Sequence, residues 1–447
     1  MTNQEPESTI GKVFAIAGKY VTNFFFFFFF FFSALVCLLI SGCTGEVKGG
    51  VRGKAPAEAG TALANAVAEE PAFEDPVEYR EQAARIAALM DDRLLAGQVL
   101  MTGIDGNVVL GETMEDLLRA SPPGGIMLFK YNLDAEKDQV RFFLEACSAL
   151  IAAAACPEPA PGGEMGAGPG IAPFIAVDHE GGQVFRFGPE VGRLPAAASF
   201  WETAQSAGRD YALHAVEEGA YRSGQEIRDL GITMNLAPVA EILDEENGLF
   251  LETRSYGPDP VFVEAAAAAF IQGMEAAGIA CVVKHFPGNT GADPHSGRAV
   301  LSVDGEVLDR MVQPFASLIH RVKPPGMMVS HIVVPAWDGE HNASLSPRVI
   351  QDWLRGNLGF TGILLADDFS MGAVAVFDLS PEDAAVEALN AGIDMVMTWP
   401  RNLSAVHGAI LAAVQEGRLP RERLRQAVEQ ILFEKIRYGL VPENNGW

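Results

Sequence analysis

The side chains most able to do chemistry lie in "KHFPGNTGADPHSG", residues 284–297, directly after the apolar stretch "GIACVV". The segment combines Lys284, His285, Asp293 and His295 with glycine, proline and asparagine. An apolar run that gives way abruptly to ionisable residues predicts a buried strand that ends in a polar loop. Because α/β proteins often place binding and catalytic groups at such junctions, we expect this loop to contribute to a site.

Other short apolar runs end in polar side chains in the same way. "FIAV" is followed by Asp178, "ITMN" ends at Asn235, "GMMVS" is followed by His331, and "GILLA" is followed by Asp367. One buried polar residue at a strand end commonly forms a hydrogen bond with a neighbouring backbone group, so it is weak evidence for a functional site. Several together predict a polar pocket, provided that the carboxyl ends of their strands meet.

The elements that must position these residues are short apolar runs that alternate with longer amphipathic stretches. The apolar runs cover residues 95–101, 124–129, 173–178, 232–238, 279–285, 326–331, 362–367 and 393–399. Eight buried strands, each followed by a helix, predict an α/β fold with parallel pairing, a (β/α)8 TIM-type barrel with its site at the carboxyl ends of the strands. An open doubly wound sheet is the alternative, but the sequence has no Gly-rich nucleotide turn.

The N-terminus carries a targeting signal. Lys12 and Lys19 precede a continuous apolar run at 24–40, which is followed by Ser, Gly and then Cys43. The run is shorter than the roughly 20 residues of a spanning helix and is typical of a signal-peptide core. The junction resembles a bacterial lipoprotein signal, which implies a Cys43 acylated on its thiol and placed first in the mature chain. An uncleaved anchor is the alternative, and either one places the chain outside the cytoplasm, on the periplasmic or cell-surface face.

Composition indicates how the chain is organised and which partners and cofactors to expect. We expect a signal peptide at 1–42, a flexible Gly/Ala/Pro/Glu-rich tether at 43–78, one catalytic domain at 79–440 and a tail at 441–447. A formal net charge of −26 argues against a nucleic-acid partner. The five cysteines have no zinc spacing, and no disulfide framework can be read from them. We expect no metal, no cofactor and a monomer.

Five motifs together resemble glycoside hydrolase family 3, and most closely its single-domain β-N-acetylglucosaminidases of the NagZ type. They are "FIAVDHEGGQVFRF" (174–187), "ETRSYGPDP" (252–260), "KHFPG" (284–288), "GFTGILLADDFSMGAV" (359–374) and "ALNAGIDMVM" (388–397). The likeness extends from about residue 90 to residue 438. Because the chain ends at Trp447, we expect no second domain of the kind that two-domain β-glucosidases have.

The resemblance implies roles for particular residues. Asp367, the first aspartate of "ADDFSM", corresponds to the family's nucleophile. We expect the side chain of its neighbour Asp368 to point the other way, because side chains alternate along a strand. The positions that correspond to the family's ligands for the N-acetylhexosamine are Asp178, Arg186, Arg254, Lys284 and His285.

The resemblance also implies the general acid/base. The family uses a histidine paired with an aspartate two residues earlier, in a loop that reads "KHFPGHGDTxxDSH". The loop here, "KHFPGNTGADPH", is shorter and lacks "HGDT", but it keeps the final D-x-H as Asp293 and His295. An imidazole titrates near neutral pH, so His295 could donate and accept a proton while Asp293 orients the ring.

The function implied is that of a retaining exo-β-N-acetylhexosaminidase, which acts on peptidoglycan fragments or related glycans by double displacement. Its partners would be the glycan and, through acylated Cys43, a lipid membrane. A catalytically silent sugar-binding lipoprotein is an alternative because of the shortened loop, and hydrolysis and phosphorolysis both stay open. A metal-dependent barrel hydrolase is a further alternative, with His285, Asp293, His295, His331 and Asp367 as its candidate ligands.

Three more polar residues are interpreted as supporting groups. We expect His331 to support the barrel mouth rather than to catalyse, and Glu180 to support the "EGG" turn. Asn235 is expected either to contact the substrate or to pack the top of the barrel.

Overall fold

A computed structural model describes residues 76–442, apart from 157–169, 190, 292–296 and 370–378. All of the described residues belong to one compact unit. Cys43 and the predicted signal peptide lie outside the described residues.

Within the described residues, eight parallel strands form one sheet. The strands are β1 Leu100–Gly103, β2 Gly125–Leu128, β3 Phe174–Val177, β4 Met234–Asn235, β5 Ala280–Phe286, β6 Gly326–Val329, β7 Ile363–Ala366 and β8 Val396–Thr398. Their order is β8-β1-β2-β3-β4-β5-β6-β7. A parallel bridge between Leu365 and Met395 joins the two ends of this order, so the sheet closes into the predicted (β/α)8 barrel.

Helices cover the outside of the barrel. They are α1 Val77–Leu89, α2 Asp92–Gln98, α3 Glu112–Ala120, α4 Lys137–Ala154, α5 Ala197–Ala207, α6 Arg209–Asp229, α7 Gly248–Leu251, α8 Pro260–Ala276, α9 Gly305–Arg321, α10 Arg348–Asn357, α11 Pro381–Ala391, α12 Pro400–Gln415 and α13 Arg421–Arg437. The α10 helix is π-helical, and a two-stranded hairpin, Val333–Val334 with Asp338–Asn342, follows β6.

Local sequence explains these elements. The barrel strands are buried along their whole length and mostly apolar, as expected for parallel strands with the barrel interior on one face and helices on the other. The α8 helix begins at Pro260 because Asp259 caps it, its side chain accepting a hydrogen bond from the Val261 N–H. The α11 helix ends at Gly392, whose φ of 119° disfavours any residue with a Cβ.

The start of β1 differs from the prediction. Residues 95–98 of the predicted strand belong to α2, and the strand itself begins at Leu100. The side chain of Asp91 accepts a hydrogen bond from the Leu94 N–H at 2.8 Å and thereby caps α2. A short apolar run does not by its periodicity distinguish a buried helical turn from a buried strand, so the boundary was placed too early.

None of the helices in the described part of the chain has the length and the apolar composition that crossing a bilayer requires.

Candidate active site

A cavity of about 300 Å³ opens where the carboxyl ends of the barrel strands meet. Six predicted site residues line it together, namely Asp178, Arg186, Arg254, Lys284, His285 and Asp367. Their positions follow from the fold: Asp178 comes directly after β3, Lys284 and His285 lie in β5, and Asp367 comes directly after β7. Of the strand-end side chains predicted to converge, Asp178, Lys284, His285 and Asp367 line the cavity, whereas Asn235 and His331 do not.

Ion pairs hold one wall of the cavity rigid. The Lys284 ammonium lies 2.7 Å from Asp178 Oδ1 and 2.7 Å from Glu180 Oε1. Arg254 donates two hydrogen bonds to Glu180, from Nε at 2.7 Å and from Nη2 at 2.8 Å. Arg186 Nη2 lies 3.5 Å from Asp178 Oδ2. Because each charge has a partner, the wall presents fixed donors and acceptors of the kind that bind sugar hydroxyl and amide groups.

Mutual pairing keeps these groups charged in spite of burial. Burial alone would raise the pKa of the Glu180 carboxyl, but Lys284 and Arg254 hold that pKa far below its ordinary range. Burial would likewise lower the pKa of the Lys284 ammonium, but Asp178 and Glu180 raise it above the ordinary value. Both side chains are therefore ionised at neutral pH.

Glu180 has a larger role in the structure than the sequence indicated. The sequence predicts a support for the turn, but the Glu180 carboxylate lies in the cavity wall and is bonded to Arg254 and Lys284. The turn itself depends on Gly181 and Gly182, which have φ of 98° and 56°. The sequence carries one signal for this role, which is that a second acidic residue stands two positions after Asp178.

Asp367 is held as a carboxylate. Burial would raise the pKa of its side chain, but electrostatic interactions with His285, His331 and Lys284, together with the hydrogen bond from the Asp368 N–H, outweigh burial and lower that pKa. The Asp368 N–H donates to Asp367 Oδ1 at 2.8 Å. At neutral pH the group is therefore in the ionised form that a nucleophile requires.

The expectation that Asp368 points away from the cavity is wrong. The β7 strand ends at Ala366, so Asp367 and Asp368 both lie beyond it, where the alternation of strand side chains no longer applies. Asp368 also lines the cavity, and its Oδ2 accepts a hydrogen bond from Trp399 Nε1 at 2.9 Å.

His285 is oriented by a buried carboxylate that the sequence did not single out. Its Nδ1 lies 2.6 Å from Glu241 Oε1, so Nδ1 carries the proton and Nε2 is the ring atom left for the cavity. Glu241 also accepts hydrogen bonds from the backbone N–H of Asn289 at 2.5 Å and from its Nδ2 at 3.1 Å. In the sequence, Asn289 is four positions before Asp293, in the segment predicted to carry the acid/base pair. Glu241 thus links a predicted sugar ligand to the start of the predicted acid/base loop.

We expect Glu241→Gln to lower kcat/KM by about 10- to 100-fold, the usual effect of losing a charged hydrogen-bond partner in a buried site. Three N–H donors from His285 and Asn289 converge on this carboxylate, and the amide of glutamine must turn its own NH₂ toward one of them. Steady-state kinetics with an aryl glycoside, beside thermal unfolding, measure the effect.

Glu264→Gln is the matched control, because Glu264 is also buried and also paired, with Arg321 at 2.6 Å, but lies on α8 away from the cavity. If both variants lose activity only in proportion to the fraction unfolded, Glu241 has no positioning role.

His331 and Asn235 are supporting groups. Burial lowers the pKa of the His331 imidazole, although Asp367 opposes the shift. Its Nδ1 lies 2.7 Å from the Ser344 hydroxyl and its Nε2 lies 3.2 Å from the Asp368 carbonyl oxygen. Asn235 exchanges two 3.0 Å hydrogen bonds with the backbone of His179, so it packs the top of the barrel and does not line the cavity.

Aromatic rings form another part of the cavity mouth. Phe129 lines the cavity and stacks on Trp399, with ring centroids 4.9 Å apart. Phe129 is also nearly parallel to Tyr131, with ring centroids 5.9 Å apart. A flat aromatic face beside fixed polar groups is a usual composition for a small-molecule site.

The predicted acid/base pair, Asp293 and His295, lies outside the described residues, and both assignments stay predictions. Across the described ranges, the structure has no group of three or more histidine, cysteine, aspartate or glutamate side chains placed to hold a metal ion.

The chain resembles known proteins along most of its length. The family described as "Glycosyl hydrolase family 3 N terminal domain" matches residues 164–433. Beta-hexosaminidase LpqI of Mycobacterium tuberculosis (strain ATCC 25618 / H37Rv) is 32% identical over 283 residues, which are 61% of this chain and 70% of the relative. A beta-hexosaminidase of Pseudomonas aeruginosa (strain LESB58) is 32% identical over 335 residues, which are 73% of this chain and 90% of the relative.

Solved structures show the same likeness. A glycoside hydrolase family 3 β-N-acetylglucosaminidase from Paenibacillus sp. str. FPU-7 matches with a TM-score of 0.69 and 29% identity, over 78% of this chain and 63% of that one. M. tuberculosis LpqI matches with a TM-score of 0.65 and 27% identity, over 82% of this chain and 98% of that one.

Proposed function

This chain belongs to glycoside hydrolase family 3, and on that basis we propose that it is a retaining exo-β-N-acetylhexosaminidase. The substrate class is terminal β-linked N-acetylglucosamine in peptidoglycan fragments or related glycans. One observation carries the proposal: an ionised Asp367 shares a cavity of about 300 Å³ with a rigid wall of paired charges. That volume is at the small end of ligand sites, which suits a single terminal sugar.

In the first step of the proposed mechanism, Asp367 attacks the anomeric carbon. A covalent bond forms between a carboxylate oxygen and that carbon, while the bond to the leaving oxygen breaks and the leaving oxygen takes a proton from His295. In the second step His295 removes a proton from water, the water oxygen attacks the anomeric carbon, and Asp367 leaves. Two inversions at one carbon give net retention.

The paired wall would bind the sugar. Lys284 and Arg186 offer N–H donors to hydroxyl and acetamido oxygens, and Asp178 accepts from hydroxyl groups. Because Asp178 is already fixed by Lys284 at 2.7 Å, little conformational entropy is lost when the sugar binds. His285, oriented by Glu241, adds Nε2 as a further hydrogen-bonding atom in the cavity that Asp367 also lines.

A panel of p-nitrophenyl β-glycosides tests the function. The glycosides of GlcNAc, GalNAc, glucose and xylose are compared with and without phosphate, and GlcNAc is expected to be the best substrate. The reactions with added phosphate distinguish the two reaction types by their product, because hydrolysis gives the free sugar and phosphorolysis gives the sugar 1-phosphate. Absence of turnover on every glycoside would favour the silent sugar-binding protein, and loss of turnover in a chelator would favour a metal-dependent hydrolase.

We also propose that the chain is an extracytoplasmic lipoprotein anchored through Cys43. The basis is the sequence order of Lys12, Lys19, the apolar run 24–40 and Cys43.

Cys43→Ser is expected to abolish lipid attachment, because serine has no thiol to acylate. The wild-type protein should partition into the detergent phase and incorporate labelled palmitate. The variant should incorporate no palmitate and should give no processed protein in the detergent phase. Cys37→Ser, within the apolar run itself, is the matched control and should behave as the wild type. Equal label in both variants would contradict the assignment.

A further inference from the structure

Three aromatic rings extend from the catalytic cavity onto its rim. Phe129 lines the cavity directly after β2, and Trp399 directly follows β8. The ring centroids of Phe129 and Trp399 are 4.9 Å apart, with an angle of 15° between the ring planes. Those of Phe129 and Tyr131 are 5.9 Å apart, with an angle of 8°. We call Phe129, Tyr131 and Trp399 the aromatic rim.

The rings of the aromatic rim do not cover one another fully. Carbon atoms in contact are about 3.5 to 4.0 Å apart. Since the centroids of these nearly parallel rings are farther apart than that, the rings are displaced sideways, and each leaves part of its neighbour's face uncovered. Tyr131 as a whole is 46% exposed. An apolar surface that continues directly from a polar cavity is typical of a ligand-binding groove.

The local fold does not require the Tyr131 ring. Asn132 is buried and fixes the turn after β2, because its Nδ2 donates to the carbonyls of Ile104 at 2.9 Å and Gly106 at 2.7 Å. Its Oδ1 accepts from the Phe129 N–H at 2.8 Å. The Tyr131 hydroxyl adds only a 3.2 Å hydrogen bond to the same Ile104 carbonyl. The exposed ring is therefore available to a ligand.

The other end of the aromatic rim is tied to the catalytic centre. Trp399 Nε1 donates to Asp368 Oδ2 at 2.9 Å, and Asp368 lines the cavity beside Asp367, the proposed nucleophile. The position of the indole ring is thereby fixed relative to the bond that would be cleaved. A ring that is already oriented loses little conformational entropy when a ligand packs on it.

The size of the cavity leaves the second sugar of a glycan outside it. About 300 Å³ suits one terminal sugar, so the sugar attached to the leaving oxygen must lie on the rim. Phe250 also lines the cavity, but it packs against His285 and Arg254, on the side of the paired wall. The aromatic rim lies beyond β2 and β8 instead, away from that wall.

We propose that the aromatic rim is the subsite for the second sugar, the one that departs with the leaving oxygen. A pyranose ring with equatorial substituents presents a face of C–H groups, which packs on a flat aromatic surface. This inference rests on the proposed glycosidase function and adds a substrate preference to it. Tyr131 and Trp399 make the enzyme favour a sugar over a small alcohol as the leaving group.

Kinetics with two alkyl glycosides test the subsite. The β-1,4-linked disaccharide of N-acetylglucosamine and methyl β-N-acetylglucosaminide both need protonation of an alcohol leaving group, but only the disaccharide has a second ring. Tyr131→Ala should lower kcat/KM for the disaccharide by about 3- to 10-fold, the usual contribution of one aromatic contact, and leave that for the methyl glycoside unchanged. Tyr131→Phe keeps the ring and should retain the wild-type preference.

Tyr211→Ala is the matched control, because Tyr211 is 64% exposed and lies on α6, outside the barrel. It should behave as the wild type on both substrates. Equal losses on both substrates in Tyr131→Ala, no loss on either, or the same loss in Tyr131→Phe would overturn the proposal.

A binding measurement separates failure of the subsite from failure of the proposed function. If the wild type cleaves neither substrate, the glycosidase assignment is contradicted, and the subsite is then decided by calorimetry. In an Asp367→Ala background, the disaccharide should bind more tightly than N-acetylglucosamine, and Tyr131→Ala should remove most of the difference. Equal Kd values for the two sugars before Tyr131 is changed would overturn the subsite.

Discussion

Replacing Asp367 with alanine is expected to lower kcat/KM for p-nitrophenyl β-N-acetylglucosaminide by at least about 10³-fold, because the covalent step loses its nucleophile. The carboxylate is half-buried, is ionised and lines the same cavity as His285. Among the described residues, Asp368 is the only other carboxylate of the cavity outside the ion-paired wall. Added azide should restore part of the activity, since it fits the space that the side chain leaves. The rescued product should be the α-glycosyl azide, with inverted configuration.

Asp368→Asn is the matched control for this experiment. The amide keeps an oxygen that accepts from Trp399 Nε1, so the local structure is retained while the charge is removed. The loss of activity should be far smaller than that of Asp367→Ala. The assignment would be contradicted if Asp368→Asn lost more activity than Asp367→Ala. It would also be contradicted if azide rescued an Asp368→Ala variant but not Asp367→Ala, and Asp368 would then be the nucleophile.

His295→Ala is expected to have effects that depend on the leaving group. A sugar alcohol must be protonated as it leaves, whereas dinitrophenolate departs without help, so the variant should slow a natural disaccharide far more than the dinitrophenyl glycoside. General acid catalysis contributes typically about 10²- to 10⁴-fold, and the difference between the two substrates should be of that size.

Asp293→Asn should act in the same direction but more weakly, because the ring stays while its orienting charge is lost. Equal losses on both substrates would show that His295 serves binding or folding. The proton donor would then have to be another group near Asp367, with His285 the first to test because its ring is already paired with Glu241.

The sequence predicted the barrel and much of the site because both depend on local patterns. Each strand is a short apolar run, and Asp178, Lys284, His285 and Asp367 follow from where such runs end. Local patterns were insufficient at the start of β1, where residues 95–98 are equally compatible with a buried helix. They were also insufficient at Asp368, because the strand ends at Ala366, before either aspartate, and side-chain alternation does not apply beyond it.

What the sequence could not supply are contacts between distant segments. Glu241 and His285 are 44 positions apart, and Glu180 and Arg254 are 74 apart, so no spacing rule joins them. Each pair forms because parallel strands bring their carboxyl ends to one side of the barrel. A carboxylate near a strand end gains its role from the cation that the fold places opposite, and that partner is visible only in three dimensions.

The account rests on Asp367 as the residue that becomes glycosylated. Incubation with a 5-fluoro derivative of a reactive β-N-acetylglucosaminyl donor, followed by proteolysis and mass spectrometry, tests this directly, because the fluorine slows the second step and the glycosyl-enzyme accumulates. The expected result is one glycosylated peptide with the added mass on Asp367. A label on Asp368 or on any glutamate would contradict the account.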